Sequence, residues 1–343
     1  MKSLVFFNNK GGVGKTTLTC NVVSYLNINC NKRVLLVDAD PQCNATQAIL
    51  PDELIEEIYL SSTSSYKTLY SYLKPFERGE PTIIGPIVPI SRNDNKFQTD
   101  IIPGHPNMSL IEDKLSRAWG DLQGANSVGG YRITNWLSQI FSSLTHDQYD
   151  LIIFDVGPSL GALNRTVLLS CDYVITPFGS DIFSLLGIKN ISSWIRSWND
   201  DYLQAISYLI KKYPEATSEF PGIVETDKKF KFAGFSVQQY VMRKFKSGAR
   251  PVKAYDEIMK DIPNVYQESL KELLIQGATL EDLSLGHIPF LYSIVPLGQS
   301  KHTPIHQLIE TKAATGSQVG QIDEYKKLME QFCGKLLKNI GLK

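Results

Sequence analysis

One octapeptide near the start, Lys10-Gly11-Gly12-Val13-Gly14-Lys15-Thr16-Thr17, constrains this chain more than any other segment. It follows a short apolar run, Leu4-Val5-Phe6-Phe7, which reads as a buried strand. Thr16 to Asn29 follows and reads as a helix, with Leu18, Val22 and Leu26 on one face and Val23 beside them. Glycines at such a strand-to-helix turn let backbone N–H groups converge on phosphate oxygens, and the helix N-terminus adds a favourable dipole. In that arrangement Lys15 neutralises the β- and γ-phosphates, and the Thr16 hydroxyl ligates Mg²⁺. The strict pattern G-x-x-x-x-G-K-[ST] is not met, because Asn9 holds its first glycine position. A second lysine, Lys10, stands directly before the glycine pair.

The remaining apolar runs predict a doubly wound, mostly parallel α/β sheet. Val34-Leu35-Leu36-Val37 ends at Asp38, and Leu151-Ile152-Ile153-Phe154 ends at Asp155. Tyr173-Val174-Ile175-Thr176 is stopped by Pro177, and Ala233–Val237 and Tyr292–Val295 read as later strands. Continuous apolar strands alternating with helices belong to sheets covered on both faces, whose ligands sit at the carboxyl ends of the strands. Lys15, Asp38, Asp40 and Asp155 all fall just past such ends. Of the carboxylates Asp38 and Asp40, one can hold the Mg²⁺ shell while the other positions an attacking water. Asp155, closing an apolar strand, would hold Mg²⁺ through a water.

Together these segments resemble the ParA/MinD group of P-loop ATPases, whose phosphate loop deviates from the strict pattern by a signature lysine. Lys10 matches that lysine, which implies a reach across a dimer interface to the partner's nucleotide. Val34 to Thr46 looks like the family's second motif and is most similar to the ParA branch, with Cys43 in place of a usual glycine. By this resemblance Asp40 is the water-positioning residue. Val156-Gly157-Pro158-Ser159-Leu160-Gly161 resembles the switch-like segment, with Gly157 where a proline is usual. Ile101-Ile102-Pro103-Gly104 is similar to the strand before the family's mid-domain helix, and Thr176–Phe178 with Phe183–Gly187 to its post-Walker-B segment. Ile294–Leu297 with Thr303–Ile305 resembles the adenine side, which brings Pro296 into the base site. Gln238 or Gln239 falls where the family has an Asn that reads the base. No N-K-x-D motif is found, which favours ATP over GTP.

With 343 residues, 43% hydrophobic and 20% charged, the chain reads as a soluble single α/β domain carrying two insertions, about 51–98 and 197–231. Gly120 to Gly130 reads as a mobile loop. The five cysteines are scattered with no C-x-x-C pair, as expected of reduced thiols in the cytoplasm. Met1 precedes the first strand too closely for a signal peptide or a helix-turn-helix, and no apolar run is long enough to span a membrane.

The formal net charge is zero but unevenly spread. Lys228 to Lys253 holds eight basic residues, among them Arg243, Lys244, Lys246 and Arg250, and no acid. Interleaved aromatics complete a footprint for a polyanion, and the ParA resemblance implies DNA bound without sequence preference. It also implies an ATP-dependent homodimer and a stimulating adaptor of the centromere-binding type. The tail places Tyr325, Leu328, Met329, Phe332, Leu336, Leu337 and Ile340 at helical spacing. It reads as a helix packed on the core, with a MinD-like membrane helix as the alternative. A metabolic or carrier P-loop ATPase is the other alternative. Of the histidines only His302 and His306 are four apart, a weak metal pattern without a third ligand.

Overall fold

The computed structural model describes residues 1–343 except 125–126, 146, 180, 221, 224–229, 241, 246–247, 252–259, 263 and 343. For 182–186, 188, 242–245, 248–251, 266 and 267 it describes the backbone alone. Its strands are β1 (Lys2–Phe6), β2 (Val34–Asp38), β3 (Asp100–Ile102), β4 (Leu151–Asp155), β5 (Tyr173–Gly179), β6 (Lys231–Tyr240), β7 (Met242–Phe245), β8 (Gly248–Pro251) and β9 (Ile288–Pro289). Among the described residues seven of them form one sheet in the order β3-β2-β4-β1-β5-β6-β9, parallel at every pairing.

Strand residues alternate between two cores, because successive side chains leave a strand on opposite faces. Leu4, Phe6, Leu36 and Ile153 join one apolar cluster, while Val5, Val37, Ile152 and Phe154 join the other. The first cluster is covered by α1 (Lys15–Asn29) and the C-terminal helix. Between α1 and β3 lie α2 (Asn44–Ile49), α3 (Asp52–Leu60) and α4 (Leu69–Leu73). The second cluster is covered by α5 (Met108–Gln123), α6 (Val128–Thr134), α7 (Trp136–Ser143), α8 (Ala162–Ser170) and α9 (Ile182–Lys212). Toward the C-terminus, the described residues include α10 (Leu280–Leu283), α11 (Ile294–Ser300) and α12 (Ser317–Asn339). Helices on both faces of a parallel sheet make the fold doubly wound, as the apolar runs predict.

Three local expectations are corrected. Tyr292–Val295 is no strand: α11 begins at Ile294, and the edge strand is β9, just upstream. Its β-branched residues serve the helix, where Ile294 is buried against the core. Pro177 does not stop β5, which continues to Gly179. Where it is described, most of Gly120–Gly130 is helical, since α5 runs to Gln123 and α6 begins at Val128. Gly130 is needed there for close packing: a Cβ would lie 2.9 Å from the Ala118 carbonyl oxygen.

The apolar face of α12 is packed, with Tyr325, Met329, Phe332 and Leu336 buried in the first cluster. Among the described residues no helix is long and apolar enough to cross a membrane. Within the basic segment, β7 and β8 pair as an antiparallel hairpin with Arg243 opposite Arg250 and Lys244 opposite Ala249. Lys228, Lys229, Lys246 and Lys253 lie outside the described residues.

Candidate functional site

The parallel register brings the carboxyl ends of β1, β2 and β4 together, pairing Phe6 and Asp38 each with Asp155. The glycine loop leaves β1 at this point and turns into α1. Gly12 and Gly14 have φ of 75° and 81°, a left-handed backbone that costs a side-chain-bearing residue about 1–2 kcal/mol. Gly14 is the N-cap of α1 and contributes no side chain, and no acidic residue lies in the first turn. The orphan N–H groups of that turn are therefore open to an anion, and the dipole favours one.

Every residue from Lys10 to Thr17 lines a cavity of about 840 Å³. Lys15 is buried; its Nζ lies 3.3 Å from Asp155 Oδ1 and donates to the Val156 carbonyl. Thr16 Oγ1 donates to Asp155 Oδ2 at 2.7 Å. Asp40 also lines the cavity, with Oδ1 accepting the Gln42 N–H at 2.9 Å. A Cβ at Gly157 would stand 3.3 Å from that same Oδ1, so the glycine that replaces the expected proline lets the switch-like segment press against Asp40.

Asp38 is placed differently. It is fully buried and does not line the cavity. Its Oδ1 accepts the Asp40 N–H at 3.2 Å, and its Oδ2 accepts the Thr46 N–H and hydroxyl at 2.8 and 2.7 Å. Burial, and then the adjacent Asp155 charge, push its carboxyl up to about 7. Asp38 thus braces the turn that carries Asp40. Cys43, in that turn, adopts φ 54°, the backbone that a glycine would take without strain.

The set fits Mg²⁺ in the way this ion is usually held. The Thr16 hydroxyl, on the cavity wall, stands 2.7 Å from the Asp155 carboxylate, which is buried directly behind it, and hard oxygen ligands with nucleotide phosphates complete such a site. Among the described residues no three His, Cys, Asp or Glu side chains group to hold a metal. His302 and His306 diverge: His302 Nε2 lies 3.4 Å from Asp52 Oδ1, and His306 is buried edge-on to Tyr25.

The base side differs in detail from the sequence reading. Gln238 is buried in β6 and donates to Ser236 Oγ at 2.6 Å, whereas Gln239 is exposed and lines the cavity. A register shift between Gln238 and Tyr240, with φ 56° at Gln239, breaks the strand alternation and re-aims this residue. Val295, Gly298 and Gln299 line the cavity while Pro296 does not. Asp52, Phe97 and His302 are liners that sequence reasoning missed. Asp52 and Phe97 lie in the segment read as an insertion, and no local pattern marks a residue that reaches a site only through tertiary packing. Lys10 is half-exposed, with Nζ 2.7 Å from Asp181 Oδ2.

A glycine loop between β1 and α1, two carboxylates at the neighbouring strand ends and a cavity over the helix N-terminus define a P-loop nucleotide-binding protein. Comparison with known proteins narrows the class. A family model described as an AAA domain (AAA_31) matches residues 1–207. The virulence plasmid ParA family protein pGP5-D of Chlamydia psittaci is 28% identical over 278 residues, 78% of this chain and 94% of that protein. The chromosome partitioning protein ParA of Caulobacter vibrioides is 29% identical over 191 residues, 56% of this chain and 61% of its own length. The crystal structure of protein DIP2308 from Corynebacterium diphtheriae superposes with a TM-score of 0.72 at 33% identity, covering 90% of this chain and 99% of that one. This chain belongs to the ParA/MinD family of P-loop ATPases.

Proposed function

We infer that the chain hydrolyses ATP with Mg²⁺ and uses the reaction to switch between monomer and dimer while positioning DNA or another cargo. The observation that carries this reading is the convergence of Lys15, Thr16 and Asp155 at one strand end, with Asp40 on the same cavity. The loop amides of Gly11 to Thr17 cradle the phosphates, and Lys15 leaves Asp155 and the Val156 carbonyl to meet the γ-phosphate charge. Thr16 and Asp155 would hold Mg²⁺, which would supply positive charge against the nucleotide's phosphates. Asp40 orients the attacking water, and Asp38 holds the Asp40 turn in place. Gln239, rather than Gln238, faces the base. Lys10, half-exposed at the cavity rim, completes the site of a second subunit.

The basic hairpin supports a DNA partner. The segment from Lys228 to Lys253 holds eight basic residues and no acid, a concentration of charge that calls for a counter-charge. A duplex backbone supplies one without regard to sequence. Cargo and DNA would meet in the cytoplasm, with a centromere-binding type of adaptor stimulating turnover. The decisive experiment measures ATP turnover and light scattering for the wild type and Lys10→Ala. Wild-type turnover with ATP-dependent dimers, and a mutant that keeps nucleotide affinity but loses both, is the expected result. A Lys10→Ala chain that dimerises and hydrolyses normally rejects the cross-subunit role.

A further inference from the structure

The segment that leaves β4, Val156 to Gly161, touches the reacting end of the cavity at three points. The Val156 carbonyl accepts from Lys15 Nζ, Gly157 lies against the Asp40 carboxylate, and Pro158 lines the cavity beside Gly11. Its backbone is held from behind by one side chain. Asn164, in the first turn of α8 and 2% exposed, donates from Nδ2 to the Gly157 carbonyl at 2.8 Å and to the Ser159 carbonyl at 2.7 Å. The Ser159 hydroxyl lies 3.3 Å from the same nitrogen. Both main partners are carbonyl oxygens, so the amide nitrogen must be the atom that faces them. A carboxyl of the same shape would present only acceptors when ionised.

The far end of the segment is pinned as well. Glu112 of α5 accepts the N–H groups of Ala162 and Leu163, satisfying two orphan donors at the start of α8. A Cβ at Gly161 would collide with that carboxylate, so the segment ends in a glycine that admits it. Glu112 thus fixes α8, and α8 presents Asn164 at a fixed height beneath Gly157. The chain of contact runs from α5 through α8 and Asn164 to Gly157, and from there to Asp40.

The geometry points to Asn164 as a positioning residue of the hydrolytic site: its amide sets the Gly157–Ser159 backbone against Asp40. This assignment rests on the proposed ATPase reading. Asn164 touches neither Asp40 nor Lys15 in the hydrogen bonds described, so it acts through the backbone it holds. Nucleotide affinity comes from the glycine loop and Lys15, which Asn164 leaves in place. The rate depends on how Asp40 and Gly157 are aligned, and a misplacement of about 1 Å can cost about a hundredfold.

The test is steady-state ATP turnover with Mg²⁺, paired with equilibrium binding of a fluorescent non-hydrolysable ATP analogue and a thermal melt. Asn164→Ala and the isosteric Asn164→Asp should lower kcat by about ten- to a hundredfold. KM and analogue affinity should stay within about twofold. Asn164→Gln, which keeps the amide donor on a longer arm, should recover part of the rate. An Asn164→Asp chain that turns over like the wild type overturns the assignment, because packing alone would then suffice. A parallel fall in kcat and analogue affinity across the variants overturns it too. If Asn164→Ala does not fold, the comparison of Asn164→Asp with Asn164→Gln decides, and equal rates reject the positioning role. A wild-type chain without turnover overturns the ATPase reading and this one together, whereas wild-type turnover with an unimpaired Asn164→Asp rejects this one alone.

Discussion

His306 offers a perturbation whose size follows from its surroundings. It is 2% exposed, edge-on to Tyr25 with ring centroids 5.3 Å apart, and among the described residues neither ring nitrogen has a hydrogen-bond partner. Burial, and secondarily the Lys326 charge, push its pKa down to about 4. In the unfolded chain the same group titrates near 6.5, so between these values the unfolded state binds the extra proton. The stability held above pH 6.5 is therefore lost as pH falls toward 4. From these two values the loss at pH 5 is about 2 kcal/mol. His287, also near 4 because it is buried, adds a similar loss. Urea unfolding of the wild type and His306→Leu at pH 8 and pH 5 isolates the first contribution. The mutant should lose about 2 kcal/mol less than the wild type between the two pH values, whatever its absolute stability. Carboxylates that titrate in the same range cancel in the difference. Equal losses in the two proteins would refute the argument that His306 is buried uncharged and unpartnered.

Two further outcomes concern the site and the hairpin. Asp40→Ala should keep the phosphate contacts of Lys15 and Thr16 while slowing hydrolysis by about a hundredfold or more, leaving a long-lived ATP-bound dimer by light scattering; a persistent monomer without nucleotide affinity would instead make Asp40 structural. With ATP present, fluorescence anisotropy of duplex DNA over a salt series should show that changing Arg243, Lys244 and Lys246 to Ala flattens the slope of log affinity against log salt by about 2.7 for each subunit on the DNA, at about 0.9 per lost phosphate contact, and weakens all sequences alike. A triple mutant with the full slope would place the DNA elsewhere.

The phosphate loop was legible in the sequence because its chemistry is local. A strand, glycines with φ above zero, a lysine and a hydroxyl residue must follow one another directly to build a phosphate cradle, so residues 10 to 17 carry their own signature. The strand-end carboxylates were nearly as plain, since an apolar run fixes where a parallel strand stops and the register then aligns Asp38 with Asp155. What such a run does not fix is which carboxylate faces the cavity. Asp38 and Asp40 are two residues apart at one strand end, yet Asp38 is enclosed by Thr46 while Asp40 is open to the cavity. Gln238 and Gln239 are separated by a bulge whose backbone conformation no side-chain pattern announces. Asp52, Phe97, His302 and the Asn164 brace join the site from segments far from the loop in the chain. Such residues are selected by packing across the sheet and not by their neighbours in sequence, so only the tertiary structure could bring them to it.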